Sequence, residues 1–290
     1  LLHAISKKLK TITIDETLFS SLKEKLKRDI QNANKDTAYK QLLYELRYLT
    51  KKHIIHRDNI YKPEGETKVD LISNISLSEV KDFAKNLYSN IGFEGVVFGS
   101  IDKEKIHESI TSFPDNLGSQ PLEKKSYPQD ELINLAEARL RVIKKETPNH
   151  CWARIVQLGK RSTKLDANLQ VMNAYLETNF FNELRTNQQL GYIVWSGPFH
   201  HEKVMMQFYL IQSADYEPFS IWQKVNTWHK KALDELKVLP KKELEIIKAS
   251  VIEKLSKEER TMAEKHDSLS FEALKLKGQF NYYSLLITSV

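Results

Sequence analysis

Phe180-Phe181-Asn182-Glu183-Leu184-Arg185-Thr186-Asn187-Gln188-Gln189-Leu190-Gly191-Tyr192-Ile193-Val194-Trp195-Ser196-Gly197 is the stretch on which the fold of this chain turns. Its first residues continue an apolar period that starts upstream, and they read as the last turn of a helix. A polar connector follows, then Gly191, then a run of aromatic and β-branched residues that predicts a strand over 191–196. Arg185 and Tyr192 stand at the two ends of the connector. An arginine and a tyrosine held close on rigid elements can grip a peptide or a carboxylate, because both donate hydrogen bonds to oxygen.

Working outward, a long helix is predicted over about 163–185, with Leu165, Leu169, Met172, Leu176, Phe180 and Leu184 on its buried face. Strands are expected at about 136–145 and 150–158. The strand at 191–196 should turn at Gly197-Pro198 into a second strand, Val204 to Ser213. Pro218 suits the first turn of a helix bearing Phe219, Trp222, Val225, Leu233 and Leu236. Pro240 ends that helix and starts another, with Leu244, Ile247, Val251 and Leu255 inward. Strands, a helix, a hairpin and two helices make an α+β pattern, with helices packed on one face of a largely antiparallel sheet.

The first hundred residues are mainly helical by the same reading. Thr13 and Glu16 fit a capping box ahead of Leu18, Phe19, Leu22, Leu26 and Ile30. Asp36 can cap a helix with Tyr39, Leu42, Leu43, Leu46 and Leu49 inward. Ser76 and Glu79 form another capping box, ahead of Val80, Phe83, Ala84 and Leu87. Phe93 to Gly99 reads as a short buried strand, and Asp102 caps a short helix carrying Ile106 and Ile110. Pro114, Gly118, Pro121 and Pro128 punctuate a polar stretch over 113–130, which is the expected domain boundary.

The 290 residues suffice for one large or two ordinary domains. Hydrophobic residues make up 41% and charged residues 28%, at a mean hydropathy of −0.48. No apolar run nears the roughly 18 residues of a membrane span, and the chain opens without a signal-peptide pattern. It begins Leu1-Leu2-His3 without an initiating Met and ends on an apolar run, so it is expected to be a piece of a longer protein. The net charge is +6, but the 44 basic residues are interleaved with 38 acidic ones. That pattern describes solvated helix faces and argues against a phosphate-binding patch for nucleic acid.

Few motifs of chemistry survive inspection. The histidines at 3, 53, 56, 107, 150, 200, 201, 229 and 266 never pair as H-E-x-x-H or H-x-x-E-H, and no carboxylate sits suitably between His53 and His56. Gly159-Lys160-Arg161-Ser162 looks like the end of a phosphate loop, but its first glycine would fall on Arg154. Gly92, Gly95 and Gly99 lack dinucleotide-loop spacing. Cys151, the only cysteine, excludes an intrachain disulfide and lies in a strand beside Trp152, which favours a structural thiol over a nucleophile. Arg185 and Tyr192 keep two readings on residues alone. They are a recognition pair, or they are a helix-end cation and a half-buried strand residue.

Asn182-Glu183-Leu184-Arg185-Thr186 followed by Gln189-Leu190-Gly191-Tyr192-Ile193-Val194 closely resembles a motif in the C-terminal half of insulinase/pitrilysin-type zinc metallopeptidases. Ser76 to Ile110, with Gly92-Phe93-Glu94-Gly95-Val96-Val97-Phe98-Gly99-Ser100, is similar to the end of domain three in that family. The resemblance implies two domains of duplicated type, the first incomplete: 1–120 as the C-terminal part of domain three, and 121–290 as domain four, expected to be truncated. It also implies a division of labour. The family's N-terminal half carries zinc on an H-x-x-E-H motif with a distal glutamate, and the two halves close around a peptide. By position, Arg185 and Tyr192 would bind substrate near the scissile bond. The zinc motif is missing from this chain, so the resemblance implies no catalytic or metal-binding residues here and no cleavage by the chain alone. The partners implied are a peptide substrate and an N-terminal catalytic half, with neither nucleic acid nor membrane. The alternative is an inactive scaffold subunit of the same family.

Overall fold

The computed structural model describes residues 2–11, 13–33, 37–50, 68–121, 138, 140, 142, 147–200 and 204–290. The chain divides into two compact units: Leu1–Lys35 with Lys51–Glu131, and Asp36–Thr50 with Leu132–Val290.

The first unit comprises α1 (Leu2–Lys10), α2 (Glu16–Ala33), α4 (Lys68–Asn74), α5 (Leu77–Leu87) and α6 (Lys103–Leu117), with a two-residue parallel pairing of β1 (Asn90–Ile91) and β2 (Gln120–Pro121). Ser76 and Glu79 form the expected reciprocal capping box on α5, and Asp102 caps α6 through the backbone N–H groups of Glu104 and Lys105. Several expectations fail here. The cap of α2 is Asp15, whose Oδ1 accepts from Leu18 N–H at 2.7 Å, and not Thr13. Asp15 stands immediately before the helix, three residues from the donor it reaches. Leu18, Leu22 and Leu26 are exposed, as are Phe83 and Leu87, while Phe19, Ile30, Val80 and Ala84 are half-buried, so the apolar stripes of α2 and α5 are only partly covered. Phe93 to Gly99 forms no strand. Phe93 instead meets Phe113 edge to face, with ring centres 5.0 Å apart. The segment 113–130 is not uniformly irregular, because α6 carries Pro114 in its last turn and closes on Gly118 in the left-handed conformation, φ 74°. Residues 122–130 and Asp36 lie outside the described residues.

The second unit is built on an antiparallel sheet in the order β3-β5-β4, formed by β3 (His150–Lys160), β5 (Val204–Ser213) and β4 (Ile193–His200). Residues directly opposite in such a sheet share a face. Val194 opposite Ile211 and Ser196 opposite Tyr209 therefore face one way, and Trp195 opposite Leu210 faces the other. The first face packs on α7 (Thr163–Phe180) and α8 (Pro218–Lys237), where Leu176, Phe180, Leu184, Leu190, Ile221, Val225 and Trp228 complete the core. Phe180, Tyr209 and Trp228 meet there ring on ring. The second face carries a helix from earlier in the chain, α3 (Ala38–Thr50). Its Tyr39 ring stands edge-on to Trp195 at 5.2 Å, and its Tyr39 N–H donates to Gln212 Oε1 at 3.0 Å.

Three further expectations are corrected in this unit. The turn at Gly197-Pro198 does not occur; β4 runs through both residues to His200. Proline is tolerated because β4 is at the edge of the described sheet, where an N–H need not bond to a neighbour. The inward face of α8 is Ile221, Val225, Trp228 and Ala232, whereas Phe219 (64% exposed) and Trp222 (40%) stack on each other toward solvent. The strand at 136–145 lies mostly outside the described residues; Leu140 and Val142, which are described, are exposed and belong to no strand. Three C-terminal helices complete the unit: α9 (Lys241–Leu255), α10 (Met262–Ser270) and α11 (Tyr282–Ser289). α11 is anchored to the start of α7 by a buried cluster. The Tyr282 hydroxyl donates to Asp166 Oδ2, and Arg161 Nη1 lies 3.6 Å from the same oxygen.

Candidate functional site

The predicted helix over 163–185 ends in a different geometry. Beyond Phe180 the backbone widens into a π-helical turn, Phe181–Asn187, and the Gln188 N–H donates to Glu183 O, five residues back, at 2.9 Å. Single π-turns cost hydrogen-bond geometry and recur at functional sites. This one is held by its side chains as well. Glu183 Oε1 accepts from Gln188 Nε2 at 2.9 Å, and Glu183 Oε2 accepts from Asn187 Nδ2 at 2.8 Å. These two donors hold the Glu183 carboxyl below its usual range. Leu184 is fully buried beneath the turn, and its carbonyl accepts from Leu190 N–H at 2.9 Å.

The connector then reverses. Gln189 takes φ 52°, a left-handed value uncommon for a residue with a side chain. Gly191 passes so close to β5 that a Cβ would lie 1.9 Å from the Gln212 carbonyl oxygen. Only glycine fits there. The result is that Arg185 and Tyr192, seven residues apart, are brought together. The guanidinium carbon sits 5.6 Å from the centre of the Tyr192 ring, within cation–π range. Tyr192 is 85% exposed, and Arg185 is half-buried with no carboxylate partner among the described residues. Lys224 of α8 reaches Gln188 Oε1 at 3.4 Å and tethers the connector to the core helices. Chemically, the pair offers several N–H donors and one phenol O–H next to the start of β4.

The remaining sequence candidates are not brought together. Among the described residues no group of three or more His, Cys, Asp or Glu side chains could hold a metal ion. His53, His56 and His201 lie outside the described residues. Gly159, φ 139°, follows a strand bulge at Leu158, where the β3–β5 register shifts, and it is no phosphate loop. Cys151 sits in β3 with its thiol pushed up to about 12 by burial. Sequence reasoning missed the clamp made by Glu183. Its traces are an asparagine four residues after the carboxylate, an ordinary helical spacing, and a glutamine five residues after it, a spacing that means nothing on an ordinary α-helix.

A family model described as PQQ synthase PqqF-like, C-terminal lobe domain 4, matches residues 171–270, which include Arg185 and Tyr192. The chain is 23% identical over 272 residues to a nardilysin-like protein of Arabidopsis thaliana, covering 91% of this chain and 26% of that one. It is 27% identical over 221 residues to human insulin-degrading enzyme, covering 73% of this chain and 21% of that one. The crystal structure of pitrilysin shares its fold, with a TM-score of 0.74 at 18% identity over 97% of this chain and 29% of the other. The chain thus spans about a quarter of the length of these relatives.

Proposed function

We propose that this chain, which is similar in sequence and fold to the C-terminal lobe of insulinase/pitrilysin peptidases, is the non-zinc-binding side of a metalloendopeptidase chamber. In this reading it closes the chamber and binds peptide substrate near the scissile bond through Arg185 and Tyr192. One observation carries the reading: a guanidinium without a carboxylate partner among the described residues is stacked on an exposed tyrosine, on a rigid turn beside the β4 edge.

The chemistry follows from what these groups donate. The Arg185 guanidinium presents N–H donors to a peptide carbonyl. As that carbon becomes tetrahedral its oxygen gains negative charge, and a charge-assisted bond strengthens with it. An interaction that grows in the transition state raises the rate of the chemical step, beyond merely holding substrate. The Tyr192 hydroxyl supplies a second donor, while its ring restricts the guanidinium. β4 is an edge strand among the described residues, and such an edge suits an extended peptide backbone. Among the described residues no three His, Cys, Asp or Glu side chains are grouped to hold a zinc ion. In the proposed assembly the zinc belongs to the N-terminal half, where it would activate the attacking water. Residues 1–120 would then form the end of domain three and 121–290 domain four, with Asp36–Thr50 packing in the unit that carries the sheet.

The test is reconstitution. Mixed with a zinc-bearing N-terminal half, the chain should restore peptide cleavage that neither piece gives alone. Arg185→Ala or Tyr192→Phe should then lower kcat, by roughly 2–4 kcal/mol of lost transition-state stabilisation for a preorganised donor. A restored activity indifferent to both substitutions would remove the site assignment.

A further inference from the structure

We propose that Glu183 is the positioning residue of this site: its carboxylate clamps the 183–188 turn and thereby holds Arg185 against Tyr192. The inference rests on the reading of Arg185 and Tyr192 given above, and it adds a residue with no expected contact to substrate.

Arg185 lies inside a loop of backbone closed between Glu183 and Gln188 by the five-residue hydrogen bond. A π-turn is a poor backbone solution by itself, so it persists where surrounding contacts over-determine it. Glu183 supplies those contacts. One oxygen takes Gln188 Nε2 and the other takes Asn187 Nδ2. Gln188 is therefore bound to Glu183 twice, through its backbone N–H and through its side chain. A side-chain bond at five-residue spacing is possible because the turn is widened; on an α-helix the partners three and four residues away would be in reach instead. The Gln188 carbonyl oxygen of the side chain then faces Lys224 on α8, so the clamp is referenced to the packed core. Beneath it, buried Leu184 anchors the same turn through the Leu190 N–H bond. Arg185 has no such anchor of its own: its guanidinium meets the Tyr192 ring and, among the described residues, no carboxylate. Its position is therefore inherited from the clamp.

A residue acting only through Arg185 makes a specific prediction for a double-mutant cycle. In the chain assembled with its zinc-bearing half, Glu183→Ala should lower kcat roughly tenfold to a hundredfold, with little change in KM, as expected for misplacement of a group that acts in the transition state. The double variant Glu183→Ala with Arg185→Ala should be no slower than Arg185→Ala alone. Glu183→Gln, which keeps one acceptor oxygen, should recover part of the loss. On the chain by itself, Glu183→Ala should speed hydrogen exchange at the Gln188 and Leu190 amides while the β5 amides stay protected. Effects that simply add, or a Glu183→Ala variant with unchanged kcat or unchanged exchange at Gln188, would overturn the proposal. If Arg185→Ala is itself without effect, the substrate-binding reading falls, and the role of Glu183 with it. That outcome is told apart from the previous ones by the single Arg185 variant.

Discussion

The Gln212 carbonyl oxygen occupies the space a side chain on Gly191 would need: a Cβ there would lie 1.9 Å from it. This contact sets how closely the connector approaches β5, and so where Tyr192 leaves the sheet. Gly191→Ala must push the connector outward, because the obstacle is backbone and cannot rotate away. The variant should lose about 3 kcal/mol of stability, in the range of overpacked sites, as measured by urea denaturation. It should also separate Tyr192 from Arg185. A variant as stable as the parent would mean that β4 and β5 yield more readily than their pairing suggests.

Tyr282 ties α11 to α7 through Asp166, and burial with the adjacent Asp166 pushes its phenol up to about 12 from 10.0. Tyr209, buried in the core, is likewise pushed up to about 12, chiefly by desolvation. In both, the folded state disfavours the phenolate. Their contribution is complete below pH 10, where folded and unfolded phenols are both protonated, and is lost as pH rises from about 10 through about 12. The chain should therefore destabilise steeply across that window. Tyr282→Phe should cost about 1–3 kcal/mol at neutral pH by leaving buried Asp166 short of a donor, and should flatten the alkaline loss. Urea midpoints measured from pH 8 to 12 test both statements.

Cys151 offers a probe of β3. Its thiol is pushed up to about 12 by burial, and the thiolate is the reactive form. At pH 8 the folded chain should react with a thiol reagent roughly a thousandfold more slowly than the unfolded chain, in proportion to the thiolate available. Reaction at the rate of an exposed peptide cysteine would place Cys151 at an accessible position instead.

Much of the local structure was legible in the residues. Ser76 with Glu79, Asp102 and Pro218 begin helices as their chemistry dictates. The buried stripe Leu169, Leu176, Phe180 and Leu184 follows the helical period. Elsewhere local signals competed. α8 carries apolar residues on two sides, Phe219 and Trp222 on one and Ile221, Val225 and Trp228 on the other. Period alone cannot choose between them; the sheet face of Tyr209 and Ile211 does. Gly197-Pro198 looks like a turn in any local reading, yet at an edge it can remain in a strand. Leu18, Leu22 and Leu26 align on one face of α2, but alignment creates a buried stripe only where another element covers it.

By itself the sequence determined the succession of helix, two strands and two helices after Thr163, the resemblance carried by 182–194, and the placement of Arg185 and Tyr192 at the ends of one connector. These depend on neighbours along the chain. Only the tertiary structure decided that the two residues meet. Their meeting requires a π-turn clamped by Glu183, a left-handed Gln189 and a glycine pressed against a different strand. The five-residue bond between Glu183 and Gln188 and the contact of Gly191 with Gln212 join groups at a spacing no regular helix uses or on another strand, and so have no periodic trace in the chain.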